Sequence, residues 1–180
     1  MSFSHKPRYI IFVERNKISV YPDESVRPLA LSEEAVRYLE VRDANKLSEL
    51  LKTFVNASNL RGRRVLVVLS KDVVFQKAVV LQPNSDPEAI RADFESKIPL
   101  EPADCQVLSL QQKNRLFLFG TNRAFYTQVV SALVNGGVKV LATVPSAVYG
   151  VTGPDKMVPE KIEQIMKAVG VARAANFLEV

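Results

Sequence analysis

Residues 85–149 constrain this 180-residue chain more than any other stretch, because they read without a gap as helix, two-stranded hairpin, helix and strand. Ser85-Asp86-Pro87-Glu88 is a helix-start signal: Ser85 and Glu88 stand at capping-box spacing, and proline is tolerated in a first helical turn. Ile90, Phe94 and Ile98 recur every four residues as one apolar stripe, which Pro99 and Pro102 terminate. Val107, Leu108 and Leu110 lead to Gln112-Lys113-Asn114 and residues 116–119 return, a hairpin turning at Lys113-Asn114. Thr121 or Asn122 is placed to cap a second helix whose Phe125, Val129 and Leu133 share one face, and Gly136-Gly137 ends it. Val138, Val140 and Ala142 then alternate as a strand up to Pro145. The expected core of this unit is Ile90, Phe94, Leu108, Phe117, Phe125, Val129, Leu133 and Val140.

The first 84 residues read as a separate unit. Residues 9–13 and 18–21 flank Glu14-Arg15-Asn16-Lys17 as a hairpin. Residues 26–31 and 36–41 are weaker strand candidates, with 33–39 equally compatible with a helix. Asn45 is the expected cap of a helix carrying Leu47, Leu50, Leu51, Phe54 and Val55. The near-continuous Val/Leu run at 65–69 predicts a strand buried on both faces, followed after Ser70-Lys71-Asp72 by a strand at 73–75. The domains expected are therefore 1–84, 85–150, and a terminal 151–180 made of a linker, an amphipathic helix and a tail. That helix carries Ile162, Ile165, Met166 and Val169 on one face.

Composition narrows the function classes. No run approaches the roughly 18 to 20 apolar residues of a membrane span, and MSFSHKPR is not followed by a secretory core, so a soluble cytoplasmic protein is expected. The single cysteine, Cys105, excludes an intramolecular disulfide and reads as a half-buried strand residue; His5 stands in a polar tail without a partner. The net charge of +5 is spread along the chain. Its densest run, Arg61-Gly62-Arg63-Arg64, lies where a loop feeds a strand, without an aromatic stacking platform, and reads first as a solvated turn. As a binding feature it would suit anionic lipid as well as phosphodiester.

No catalytic constellation stands out. Asp86 and Glu88 serve a helix dipole, Asp93 and Glu95 point in different directions, and Glu101 and Asp104 read as a solvated proline loop. Ser146 follows Pro145 as a helix cap with no histidine to act as its base. Neither GxxxxGK[ST] nor GxGxxG occurs. No enzyme activity, catalytic residue, metal or cofactor is expected.

The order of elements, with Ile98-Pro99-Leu100-Glu101-Pro102 after the first helix and Val144-Pro145-Ser146-Ala147-Val148-Tyr149 closing the last strand, resembles the inserted subdomain of PilM-like and GspL-like actin-like proteins. Those proteins belong to inner-membrane assembly platforms of type IV pili and type II secretion. The first 84 residues, as hairpin, strand, helix and buried strand, are similar to the first actin-like lobe. The resemblance implies an α+β fold of truncated actin-like type: a ribonuclease H-like lobe at 1–84 plus an inserted small α/β subdomain at 85–150. It also implies a non-catalytic cytoplasmic scaffold at the inner face of the cytoplasmic membrane.

Two departures bear on nucleotide. The family opens with an Asp-x-Gly phosphate loop, whereas this chain has Val13-Glu14-Arg15-Asn16-Lys17, without aspartate or glycine. The second actin-like lobe, with the other phosphate loop, has no counterpart in these residues. ATP is expected to be neither hydrolysed nor bound. The tail Ala175-Asn176-Phe177-Leu178 is similar to the Ile-Asn-Leu-Leu motif that the membrane protein PilN offers to PilM in a groove beside the inserted subdomain. The resemblance thus implies Asn176, Phe177 and Leu178 as partner-binding residues, docking in their own chain or a neighbouring one. If the reach within one chain is too short, exchange would give a symmetric homodimer. The partner implied is a PilN-like membrane protein segment, with the chain's own tail as a candidate for it, and membrane attachment through that partner or a helix downstream. The competing classes are a basic nucleic-acid-binding module and structural self-assembly through hairpin edges, although nucleic acid is not the expected partner.

Overall fold

The computed structural model describes residues 7–23, 25–151 and 153–179; His5 lies outside them. Tyr9–Val13 (β1) and Lys17–Tyr21 (β2) form the expected antiparallel hairpin, with Ile11 opposite Val20. Of the two weaker candidates, the first keeps only Leu29–Ala30 (β3), which adds to the edge of β2. The second becomes a minimal ladder of Val36–Arg37 (β4) and Glu40–Val41 (β5), turned by Tyr38 and Leu39 at φ of 50° and 67°. Ala44–Ala57 (α1) is capped by Asp43 rather than Asn45. Asp43 has the extended backbone that a cap requires and its carboxylate accepts from the Lys46 N–H at 2.9 Å, whereas Asn45 already lies inside the helix.

Arg64–Leu69 (β6) runs parallel to β1, and its residues are buried from Val65 onward. Val65, Val67 and Leu69 face one core while Leu66 and Val68 face another, which is the two-sided burial the Val/Leu run predicted. The next strand is Phe75–Val80 (β7); Val73 and Val74 are buried connectors before it. Pro87–Glu95 (α2) is capped by Asp86, which accepts from the Glu88 and Ala89 amides, while Ser85 Oγ instead accepts from the Gln82 N–H. Cys105–Gln112 (β8) and Arg115–Asn122 (β9) form the expected hairpin, with Lys113 at φ 54° in its turn. Arg123–Asn135 (α3) is capped by Asn122 and ends at Gly136, with Gly137 left-handed at φ 89°. Lys139–Pro145 (β10), Pro159–Lys167 (α4) and Val169–Ala174 (α5) complete the described elements apart from short single turns.

Two sheets organise these elements. The main one has the order β10-β6-β1-β2-β3, and the smaller has the order β7-β9-β8. This partition moves the expected boundary. The inserted unit runs over 75–122, because β7 pairs along the free edge of β9, with Ala78 opposite Phe117. In the other direction, α3 and β10 return to the main lobe. β10 lies parallel to β6, and Ala142, Thr143 and Val144, all buried, gain cover on both faces there. Phe125, Val129, Leu133 and Val140 therefore belong to the main core with α1. The inserted unit keeps a small core of its own around Phe94, Ile98, Leu116 and Leu118, against which Ile90 packs. Leu108 and Phe117 face the main core and join the two units.

The C-terminal stretch is a structural layer rather than a linker with a tail. Val151, Met157, Ile162, Ile165 and Ala172 close the second face of the main sheet over Ile10, Phe12, Leu66 and Val68. The main sheet is thus sandwiched between α1 with α3 and α4 with α5.

Candidate functional site

After α5 the chain arrives at β10, an edge strand of the main sheet. Asn176 is 3% exposed, and its Oδ1 accepts from the backbone N–H of Thr143 at 2.8 Å and from that of Leu178 at 3.2 Å. One side-chain oxygen thus serves an amide of β10 and tightens the local turn. Phe177 is 1% exposed, its ring 5.7 Å from that of Tyr126 and tilted by 38°. Its carbonyl accepts from Gln106 Nε2 at 3.3 Å, with the Tyr126 hydroxyl 3.2 Å away. That hydroxyl also donates to Gln106 Oε1. Leu178 stays 41% exposed. The structure therefore brings Asn176 and Phe177 together in one buried site and leaves Leu178 at the surface.

The receptor side of this site was not visible in the sequence. Gln106 and Thr143 are polar residues inside strands, and Tyr126 sits beside the Phe125 stripe rather than on it. The only available signal was three polar residues at positions where apolar ones would suffice. Burial pushes the Tyr126 phenol upward, so it remains a neutral donor. One polar atom is left over: the Thr143 hydroxyl is buried without a hydrogen-bond partner among the described residues. β8 comes from the inserted unit and β10 and α3 from the main lobe, so the tail ties the two together.

The first loop has a different chemistry. Glu14 is buried, with its carboxylate 3.4 Å from Lys17 Nζ, and desolvation raises its pKa against the pull of that lysine. Arg15 is tied to the loop after β6, its N–H donating to Asp72 Oδ2 at 3.1 Å and its guanidinium to the Asp72 carbonyl at 3.4 Å. Among the described residues, no group of three His, Cys, Asp or Glu is arranged to hold a metal ion. Cys105 is buried and its thiol pushed upward by desolvation, which disfavours the thiolate. Ser146 does not cap a helix; its hydroxyl donates to the Val151 carbonyl at 2.9 Å and closes the loop behind β10. No helix among the described residues is long and apolar enough to cross a membrane.

No family model and no curated protein matches the sequence. Solved structures are similar in fold. The PilM–PilN type IV pilus biogenesis complex aligns over 78% of this chain and 47% of its own, at 15% identity and a TM-score of 0.53. The fold is PilM-like. The cytoplasmic domain of EpsL, an inner-membrane component of the type II secretion system of Vibrio cholerae, aligns over 81% of this chain and 60% of its own, at 15% identity and a TM-score of 0.49. This chain thus spans less than two thirds of either. Within the PilM-like fold, the Asn176 site lies at the junction of main lobe and inserted subdomain.

Proposed function

We propose that this protein is a non-catalytic scaffold of a type IV pilus or type II secretion assembly platform, working at the cytoplasmic side of the inner membrane. Its groove for a PilN-like segment would be the one formed by Gln106, Tyr126 and Thr143, filled here by the chain's own Asn176 and Phe177, with Leu178 left at the surface. The observation that carries this reading is the Asn176 Oδ1 contact with the Thr143 amide, made by a tail similar to the PilN motif. An asparagine serving receptor backbone, next to an apolar side chain in a pocket, is a peptide-recognition mode in which hydrogen bonds fix register and burial provides affinity. Phe177, the one large apolar side chain of the motif that is buried, contributes about 1.5 to 3 kcal/mol of transfer energy. Ordering a free peptide offsets much of that, so affinity in trans should be no tighter than micromolar, and covalent attachment should make docking in cis nearly complete.

The test is capture in trans. A chain lacking residues 175–180 should bind an ANFLEV peptide, and a peptide with alanine in place of Asn176 should bind at least about tenfold more weakly, 1.4 kcal/mol. Equal binding of both peptides, or of neither, overturns the docking reading. Its non-catalytic part has a separate check. The first loop offers a buried Glu14 neutralised by Lys17 instead of glycine amides around a phosphate, so calorimetry with magnesium and ATP should detect no binding tighter than about 100 μM, roughly −5.5 kcal/mol.

A further inference from the structure

The parallel strands of the main sheet all start at one end of the molecule, and that end is basic. The register sets Lys139 beside Arg64, and the Arg8 amide donates to the Arg64 carbonyl at 3.0 Å, so three cations stand in a row at the starts of β10 and β6 and just before β1. Arg61 and Arg63 extend the row through the loop before β6, where the Gly62 N–H holds the Gly137 carbonyl at 2.7 Å. All five are exposed or half-exposed, and none forms an ion pair with an acidic side chain among the described residues. The C-terminal ends of α1 and α3 lie close by, but about half a negative charge from each leaves the face strongly positive. Beside it opens a hollow of about 480 Å³ lined by Val55, Asn56, Asn59, Arg61 and Arg63, two guanidinium groups and two amides suited to phosphate oxygens.

We propose that this face docks the protein on an anionic lipid surface. The cations come from turns and strand starts, so no helix or ribbon presents them to a nucleic-acid groove, and no aromatic on which bases could stack lines the hollow beside them. Val134, 50% exposed in the last turn of α3 at the same end, supplies an apolar contact for the headgroup boundary. The site is separate from the Asn176 groove and does not depend on how that groove is used.

Co-sedimentation with vesicles tests it on the full chain. Binding is expected to phosphatidylcholine vesicles containing phosphatidylglycerol and not to phosphatidylcholine alone, and it should weaken as salt rises. Each basic residue near such a surface is worth about fivefold in partitioning, so Arg8→Gln, Arg63→Gln and Lys139→Gln together should cost about a hundredfold. Arg27→Gln, Lys113→Gln and Arg115→Gln change net charge equally at other places and should leave most of the binding intact. If the first triple variant does not fold, Arg63→Gln alone should show its own fivefold loss. Absence of partitioning, equal loss in both triple variants, or release from vesicles by duplex DNA would overturn the proposal.

Discussion

At the scale of single residues, Asn176 and Thr143 make opposite predictions from one contact. Asn176→Ala leaves the Thr143 N–H buried without its acceptor, so it should cost about 1 to 3 kcal/mol, read as a lower urea midpoint at unchanged slope. Thr143→Val removes a hydroxyl that is buried without a partner while keeping the β-branched shape, so it should be neutral or stabilising. A midpoint unmoved by Asn176→Ala would mean that the amide finds water instead. Glu14 gives a pH signature. Desolvation holds its folded pKa above the ordinary carboxylate value, so the native state binds the proton more tightly than the unfolded chain. Stability attributable to Glu14 is then highest in acid and falls as pH rises from that ordinary value through the raised one. Glu14→Gln should flatten the pH dependence of the unfolding midpoint in that window, and a slope identical to that of the parent chain would refute the assignment.

At the scale of elements, local signals were legible and partnerships were not. The α3 stripe of Phe125, Val129 and Leu133, its Asn122 cap and its Gly136-Gly137 stop could all be read from spacing, because each depends on residues within a few positions. Cap choices between neighbours, Asp43 over Asn45 and Asp86 over Ser85, turn on backbone angles that composition does not carry. The limits of the inserted unit differ from the expected ones for another reason: β7 follows the strand expected at 73–75, β10 is a short strand as well, and only the sheet edge each one meets decides its unit. β7 meets β9 and β10 meets β6, contacts between strands far apart in sequence. The same blindness hid Gln106, Tyr126 and Thr143. This boundary is testable by hydrogen exchange on Phe94→Ala. Phe94 is buried in the small core, and the substitution should cost about 3 to 5 kcal/mol. Exchange should accelerate in β7, β8 and β9 well before β1 and β6, since the main core keeps all its own side chains. Equal acceleration in both sheets would make the two units one cooperative block.

At the scale of the molecule, the C-terminal stretch does two jobs that separate in truncation. α4 and α5 roof the second face of the main sheet, and the last residues reach Asn176's site within the same chain, so the condition for exchange between two chains is not met. A monomeric sedimentation mass is expected. Removing residues 175–180 takes Ala175 and Phe177 from the main core, a loss comparable to a buried Phe→Ala of about 3 to 5 kcal/mol. That fits inside the 5 to 15 kcal/mol of an ordinary domain, so this shorter chain should fold with a lowered midpoint that an excess of ANFLEV peptide partly restores. Removing residues 152–180 is a different operation. It strips Met157, Ile162, Ile165 and Ala172 from Ile10, Phe12, Leu66 and Val68 and leaves a flat apolar sheet face open to water. That chain should lose its cooperative thermal transition and aggregate. A soluble 1–151 fragment with a sharp transition would show that the main sheet is held from one side alone, and the three-layer account of the fold would fail.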